Sequence, residues 1–248
     1  MTLPADPRWA ALRRATPARI GLPRAGVALA TSAQLAFQAA HALARDAVHD
    51  RLDASALVTA LAARGHTAVS LRSAAADRAT YLARPDLGRR LDDASRGEIE
   101  TLSRGHDLVL VLADGLSARA VGAHALPLID AALPALRDWR IGPALVVEQG
   151  RVAIGDEIGG VLEAALVAVL IGERPGLSAP DSLGVYLTWG PGPGRSDAER
   201  NCISNIRPAG LGYADAAATL IYLLTEARRR RLTGVALKDG SGRALPSA

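Results

Sequence analysis

The sequence predicts an α/β fold: a helical N-terminal part followed by an open, mostly parallel, Rossmann-like sheet with flanking helices. Three observations carry that expectation. Leu108-Val109-Leu110-Val111-Leu112, Ala144-Leu145-Val146-Val147 and Leu166 to Ile171 are short, continuous, β-prone apolar runs, as in strands covered on both faces. Helix-forming stretches alternate with them, and such alternation implies parallel strands joined by right-handed crossovers. The chain has 248 residues, 49% of them hydrophobic, enough to bury a sizeable core, and with Phe37 its only phenylalanine that core must be aliphatic.

In chain order, Thr31 to Asp50 is rich in helix formers, with Thr31 or Ser32 placed to cap it. Arg51 to Arg64 is a second helix, ending at Gly65, the residue expected just past a helix C-terminus. His66 to Arg72 alternates like a strand, and Arg84-Pro85-Asp86 opens a helical region running to about Ser103. The strand at Leu108 stops at Asp114-Gly115. Ser117 then caps a helix that passes Ala120 and is interrupted at Pro127 and Pro134 on the way to Trp139. Asp156 to Ala164 reads as a short helix, Leu183 to Thr188 as a fourth strand, and Asn201 to Ile206 as a loop. Ala214 to Arg231 closes the fold as a helix with Ala217, Leu220, Ile221 and Leu224 on one face. The expected organisation is a mainly helical region at 1–104, an α/β ligand-binding region at 105–235 and a flexible Gly/Ser/Pro-rich tail at 236–248.

Charge and cysteine usage narrow the function. The net charge of +4 is nearly all arginine, Lys238 being the only lysine, and the arginines are scattered without the interleaved aromatics that stack bases, so no nucleic-acid partner is expected. Arg228 to Arg231 suits a helix C-terminus, where cations meet the negative end of the dipole. A single cysteine forms no internal disulfide, Met1 to Arg24 lacks the apolar core of a signal peptide, and the run Val161 to Gly172 is too short to span a bilayer. A cytoplasmic protein with no membrane partner is expected.

Ligands of open α/β sheets bind beyond the carboxyl ends of the strands, and Asp114, Glu173 and the loop after Trp189 are expected at such ends. Glu173, in Gly172-Glu173-Arg174-Pro175-Gly176-Leu177, closes a buried strand. Its carboxylate is read either as an acceptor for ligand hydrogen bonds or as the partner of Arg174 or another arginine. Cys202, in Asn201-Cys202-Ile203-Ser204-Asn205-Ile206, has no histidine in a pairing motif and no metal-ligand spacing around it, which leaves packing or ligand contact. Asn201, Ser204 and Asn205 either hold a polar ligand or bond their own loop. Gly190 to Gly194 has too few amide donors for a phosphate loop, and Asp114-Gly115-Leu116-Ser117 lacks the glycines of a nucleophile elbow. A free-standing α/β hydrolase-like enzyme working through Asp114, Ser117 or Cys202, or a small-molecule binding protein, is the alternative class.

Five segments occur in an order that resembles the small (light) subunit of ethanolamine ammonia-lyase. They are Tyr81 to Leu91, Asp114 to Ser117, Gly150-Arg151-Val152, Gly172 to Leu177 and Asn201 to Ile206. Leu12 to Thr16 and the helix from Ala214 to Leu224 extend the likeness over roughly residues 10 to 235. The resemblance implies an adenosylcobalamin-dependent lyase that converts ethanolamine to acetaldehyde and ammonia, in which a large barrel subunit carries substrate and radical chemistry. This chain would then help bind the cobalamin within a hetero-oligomer and have no activity alone. It further implies cofactor contacts at Val152, Glu173 and Cys202, no catalytic residue and no protein metal ligand. No histidine here sits in the Asp-x-His-x-x-Gly setting that displaces the lower base, so the cofactor is expected base-on. Arg84, Asp86, Arg89 and Arg90 face either the large subunit or the cofactor's phosphate, or serve as cap and solvated charges. The stretch Trp189 to Ser196 departs from the family pattern. The N-terminus lacks the long leading segment associated with packaging in a bacterial microcompartment, which leaves that location open.

Overall fold

The computed structural model describes residues 7–241. Its centre is a six-stranded sheet of β3 (Ala68–Arg72), β4 (Leu108–Ala113), β5 (Ala144–Glu148), β6 (Leu166–Gly172), β7 (Leu183–Trp189) and β8 (Arg200–Ile206), in the order β3-β5-β4-β6-β7-β8. The first four run parallel to one another, and β7 and β8 are antiparallel additions. The α/β class and the mostly parallel sheet agree with the sequence. β3 precedes residue 104 and pairs with β5, so the sheet crosses the boundary expected there.

The apolar runs form strands because both faces are covered. In β4, Leu108, Leu110 and Leu112 pack on one side with Leu57 and Leu61 of α3 (Ala54–Ala62), Leu128 and Ile129 of α6 (Ala118–Ala132) and Leu220 and Leu224 of α8 (Tyr213–Arg230). Val109, Val111 and Ala113 point the other way, toward Ile99 of α5 (Asp93–Glu100) and Ile154 and Ile158 of α7 (Ile154–Val161). Burying one such aliphatic side chain stabilises the fold by about 1.5–3 kcal/mol, so the layers on both faces, not strand propensity, hold the sheet.

Several boundaries move for identifiable reasons. α3 begins at Ala54 because the Asp53 side chain accepts from the Ala56 amide at 2.9 Å. The region from Arg84 to Ser103 is not one helix. It begins where α4 (Arg78–Ala83) has already ended, at its C-cap Arg84, and holds only a single 3-10 turn at Leu87–Arg89 and α5, which Asp92 caps. α6 runs through Pro127, because burial of Leu128, Ile129 and Ala132 on its far side outweighs the lost hydrogen bond. The strand at Leu183 turns back antiparallel, since the ten residues between β6 and β7 contain no crossover helix and return the chain directly alongside.

The segment expected as a loop at Asn201 is the edge strand β8. Only Arg200, Ile203 and Ile206 are buried in it, which hides its strand character in the sequence. The tail start is also fixed: Asn201 binds the carbonyls of Gly234 and Leu237, and Leu237 is buried. The rest of the expected flexible tail, 242–248, lies outside the described residues, as do 1–6 of the N-terminal reading.

The N-terminal part contrasts with this body. α1 (Pro7–Ala15), a small hairpin of β1 (Arg24–Ala25) and β2 (Ala28–Leu29), and α2 (Thr31–His49) lie before α3. Of the nineteen residues of α2 only Ala47 is buried, and Leu35, Phe37 and Leu43 are exposed. The N-cap is Ala30, without a side-chain bond, in place of Thr31 or Ser32.

Candidate functional site

Three strand ends and a returning edge strand build the site. β6 ends at Gly172 against the turn that follows β4: the Leu116 amide donates to the Gly172 carbonyl at 2.9 Å. A Cβ at Gly172 would collide with the carbonyl oxygens of Ser117 and Asp114, so only glycine permits this approach. Glu173 is thereby delivered to the rim of a cavity of about 430 Å³ lined by Leu116, Arg151, Val152, Ile171 and Tyr186, among others.

The Glu173 carboxylate is held by neutral donors. Ser182 Oγ donates to Oε2, Ser204 Oγ donates to Oε1 at 2.6 Å, and the Asn205 amide donates to Oε2 at 3.1 Å. The Glu173 amide in turn donates to the Ser182 carbonyl at 2.9 Å. The Ser204 hydroxyl and the Asn205 amide thus fix a carboxylate about thirty residues away, while the Asn205 side chain bonds its own loop by accepting from Arg207 Nε at 3.1 Å, and Arg174 is not what pairs with Glu173. Two carboxylate oxygens offer about four acceptor sites, so three donors leave room for another.

Val152 lies in the same cavity, at the far end of the turn after β5, and packs on the apolar face shared with α7. Cys202 is adjacent but not within it. It stands opposite Tyr186 in the β7–β8 register and borders a second groove along β8 with Asn201 and Leu211. Although the residue as a whole is exposed, burial around the sulfur pushes the thiol pKa up, and the nearby Glu173 carboxylate pushes it the same way. Such a thiol is protonated near neutrality and is not an activated nucleophile.

The loop after Trp189 does not join the site. β7 is antiparallel, so Trp189 lies beside Leu166 at the opposite end of the strands, where Gly190 donates to the Ala165 carbonyl. β8 runs back from there and restores the contact, which is how Ser204 reaches Glu173.

Asp114 and Ser117 serve the backbone. Asp114 is buried at the end of β4 and accepts from the amides of Gln149 and Gly150, each at 3.0 Å, with Arg78 Nη1 3.5 Å away. Burial raises its pKa to about 6, against the opposing pull of those amides and Arg78. Ser117 caps α6 at Ala120 and donates to the Pro180 carbonyl at 2.9 Å, fully buried. Neither geometry is that of a nucleophile with its base, which removes the support for a hydrolase-like enzyme. His124 instead bonds Tyr213 at 2.8 Å. Among the described residues no three His, Cys, Asp or Glu side chains cluster to hold a metal. Likewise, no helix is long and apolar enough to cross a membrane.

Arg84 and Asp86 form an exposed bidentate pair, at 2.9 and 2.7 Å, so Asp86 does not cap the turn it precedes. Sequence reasoning missed Ser182 and Tyr186, whose place at the site depends on pairing across the sheet and which no local motif marks, and it gave no role to Tyr81, although that residue opens the first of the five segments.

The chain is thus an α/β protein with an open cavity at its strand ends, an acceptor carboxylate on the rim and apolar walls, a shape suited to meeting one side of a ligand rather than enclosing it. The family model described as Ethanolamine ammonia-lyase light chain (EutC) matches residues 6–238, and the chain belongs to that family. It is 58% identical to the ethanolamine ammonia-lyase small subunit of Azotobacter vinelandii, covering 93% of this chain and 88% of that one. The small subunit of Ralstonia nicotianae is 56% identical over 94% and 88%, and that of Pseudomonas syringae pv. tomato 54% over 95% and 84%.

Proposed function

We propose that this chain is the small subunit of an adenosylcobalamin-dependent ethanolamine ammonia-lyase, and that its part, centred in residues 105–235, is to bind and orient the cofactor against a large subunit. Bound adenosylcobalamin supplies the radical chemistry by which ethanolamine becomes acetaldehyde and ammonia; the large subunit holds the substrate. The chain's own residues bind, orient and exclude water.

The carrying observation is the Glu173 carboxylate, fixed by three neutral donors beside Val152 with acceptor capacity to spare. A corrin presents amide groups at its periphery, and an amide N–H donates to a carboxylate whose charge no cation has neutralised. Val152, Leu116 and Ile171 supply the apolar wall a macrocycle needs, and Cys202 with Tyr186 extends that surface toward β8. The residues present fit the group. The cavity of about 430 Å³ is open and takes only an edge of so large a molecule, which agrees with a second subunit covering the rest. No histidine lines this rim, so this chain would supply no ligand to the cobalt of a bound cobalamin, in keeping with a base-on cofactor. The reading implies a cytoplasmic hetero-oligomer and leaves packaging in a microcompartment open.

Co-expression with a large subunit is expected to give a complex that shifts the hydroxocobalamin spectrum and releases ammonia only with adenosylcobalamin, while the small chain alone is inactive. Glu173→Ala with Cys202→Ala should weaken cobalamin binding in that complex. A spectrum and turnover unaltered by the double change would refute these contacts.

A further inference from the structure

The turn at 149–152, which presents Arg151 and Val152 to the cavity, is held in an unfavourable shape. Gln149 has a φ of 58°, in the left-handed region that non-glycine residues avoid. The amides of Gln149 and Gly150 point the same way as a result, and both end on the two oxygens of one buried carboxylate, Asp114. Ala153 at the start of α7 offers no side-chain cap that would hold the turn from its other side.

Arg78 completes the arrangement. Its Nη1 reaches the Gln149 side-chain oxygen at 3.3 Å and the Gly115 carbonyl at 2.8 Å, and its Nε reaches the Val48 carbonyl near the end of α2 at 2.6 Å. Four segments distant in sequence thus meet at one guanidinium. Arg78 lies over the Tyr81 ring at 4.7 Å, as Arg151 does at 4.2 Å, and the Tyr81 hydroxyl donates to the Gly150 carbonyl at 3.2 Å.

We propose that Asp114 and Arg78 are positioning residues for the cofactor: they clamp the 149–152 turn to the end of β4 and so set where Val152 stands relative to Glu173. This rests on the reading of Val152 and Glu173 as cofactor contacts. Neither residue lines the cavity, so the effect passes through the turn.

The clamp has a pH signature. The charged or titratable groups facing Asp114 are Arg78 and Tyr81 of α4, with Arg151 of the turn stacked on the far partner Tyr81, and with its pKa raised to about 6 Asp114 is ionised at neutrality. As pH falls through that value a proton occupies one oxygen, the two amides face a neutral and weaker acceptor in place of a carboxylate, and the hold on the turn weakens. Cofactor affinity should therefore fall toward acid.

The test uses the assembled two-subunit complex with Asp114→Asn and Arg78→Gln, read by hydroxocobalamin titration, by adenosylcobalamin KM and kcat, and by amide exchange at residues 149–152. Asp114→Asn should raise the cobalamin Kd roughly tenfold, leave kcat at saturation within about twofold, and abolish the pH step, while the Gly150 amide exchanges faster. Arg78→Gln keeps the carboxylate without its cation, so the step should move to higher pH. That variant decides if Asp114→Asn does not assemble. Unchanged affinity with an intact pH step in Asp114→Asn, or an unmoved step in Arg78→Gln, overturns the proposal. If the wild-type complex binds no cobalamin, the functional reading fails instead. The exchange rate then still decides the clamp, and equal protection of Gly150 in wild type and Asp114→Asn overturns it.

Discussion

Asp156 takes both of its side-chain hydrogen bonds from Arg200, at 2.7 and 2.6 Å, in a pair buried with it, whereas Glu173 takes its own from two hydroxyls and a backbone amide at a cavity rim. The first arrangement neutralises a charge and joins α7 to β8 through a planar fork. The second fixes a carboxylate in space but leaves its charge in place. A carboxylate closed by a cation belongs to the framework, and one held only by neutral donors retains its attraction for a ligand's N–H groups.

The contrast is sharpest if the cation is removed. Arg200→Met strands a buried Asp156, and the loss in stability should be about 3–5 kcal/mol by denaturant unfolding, with cobalamin affinity of any surviving complex unchanged. An affinity loss as large as that of a Glu173 variant would erase the distinction. Gly172→Ala comes next: its methyl group meets the carbonyls of Ser117 and Asp114, and the forced shift should destabilise the chain by about 1–3 kcal/mol in a thermal melt while displacing Glu173.

Glu173→Gln keeps the shape and removes the charge. Its amide nitrogen faces donors, so we expect a stability loss of about 1–2 kcal/mol and a roughly tenfold weaker hydroxocobalamin titration. A loss of stability alone would make Glu173 a second Asp156. The smallest effect belongs to Cys202. With its thiol pKa raised, iodoacetamide should modify it slowly at pH 7 and faster as pH climbs, by mass spectrometry, and Cys202→Ser should change cobalamin affinity by less than about threefold.

Glu173 was legible in the sequence because a continuous apolar run ended in Gly172, which is how a buried strand meets solvent. Its partners were not: Ser182 and Ser204 are nine and thirty-one residues away and reach it only because β7 and β8 are antiparallel. That direction depends on what the segment between β6 and β7 does, and single-residue patterns do not record it. β8 was hidden for a related reason. An edge strand with one covered side needs few apolar residues, and Ile203 and Ile206 do not make a period. The sequence also put the loop after Trp189 at the site, an error that followed from reading β7 as parallel. Val152 carries no chemical signal at all and was found through family resemblance.

The helix α2 gives the molecule an uneven resistance to opening. An isolated helix of nineteen residues is marginal in water, and with Ala47 its only buried member α2 gains little from the body beyond the Arg78 bond to Val48. Its amides should exchange with solvent at rates near those of a short peptide, while β4 amides exchange only when the whole sheet opens. Limited proteolysis of the free chain should accordingly cut first within 31–46, leaving a resistant fragment that retains Asp114, Val152, Glu173 and Cys202.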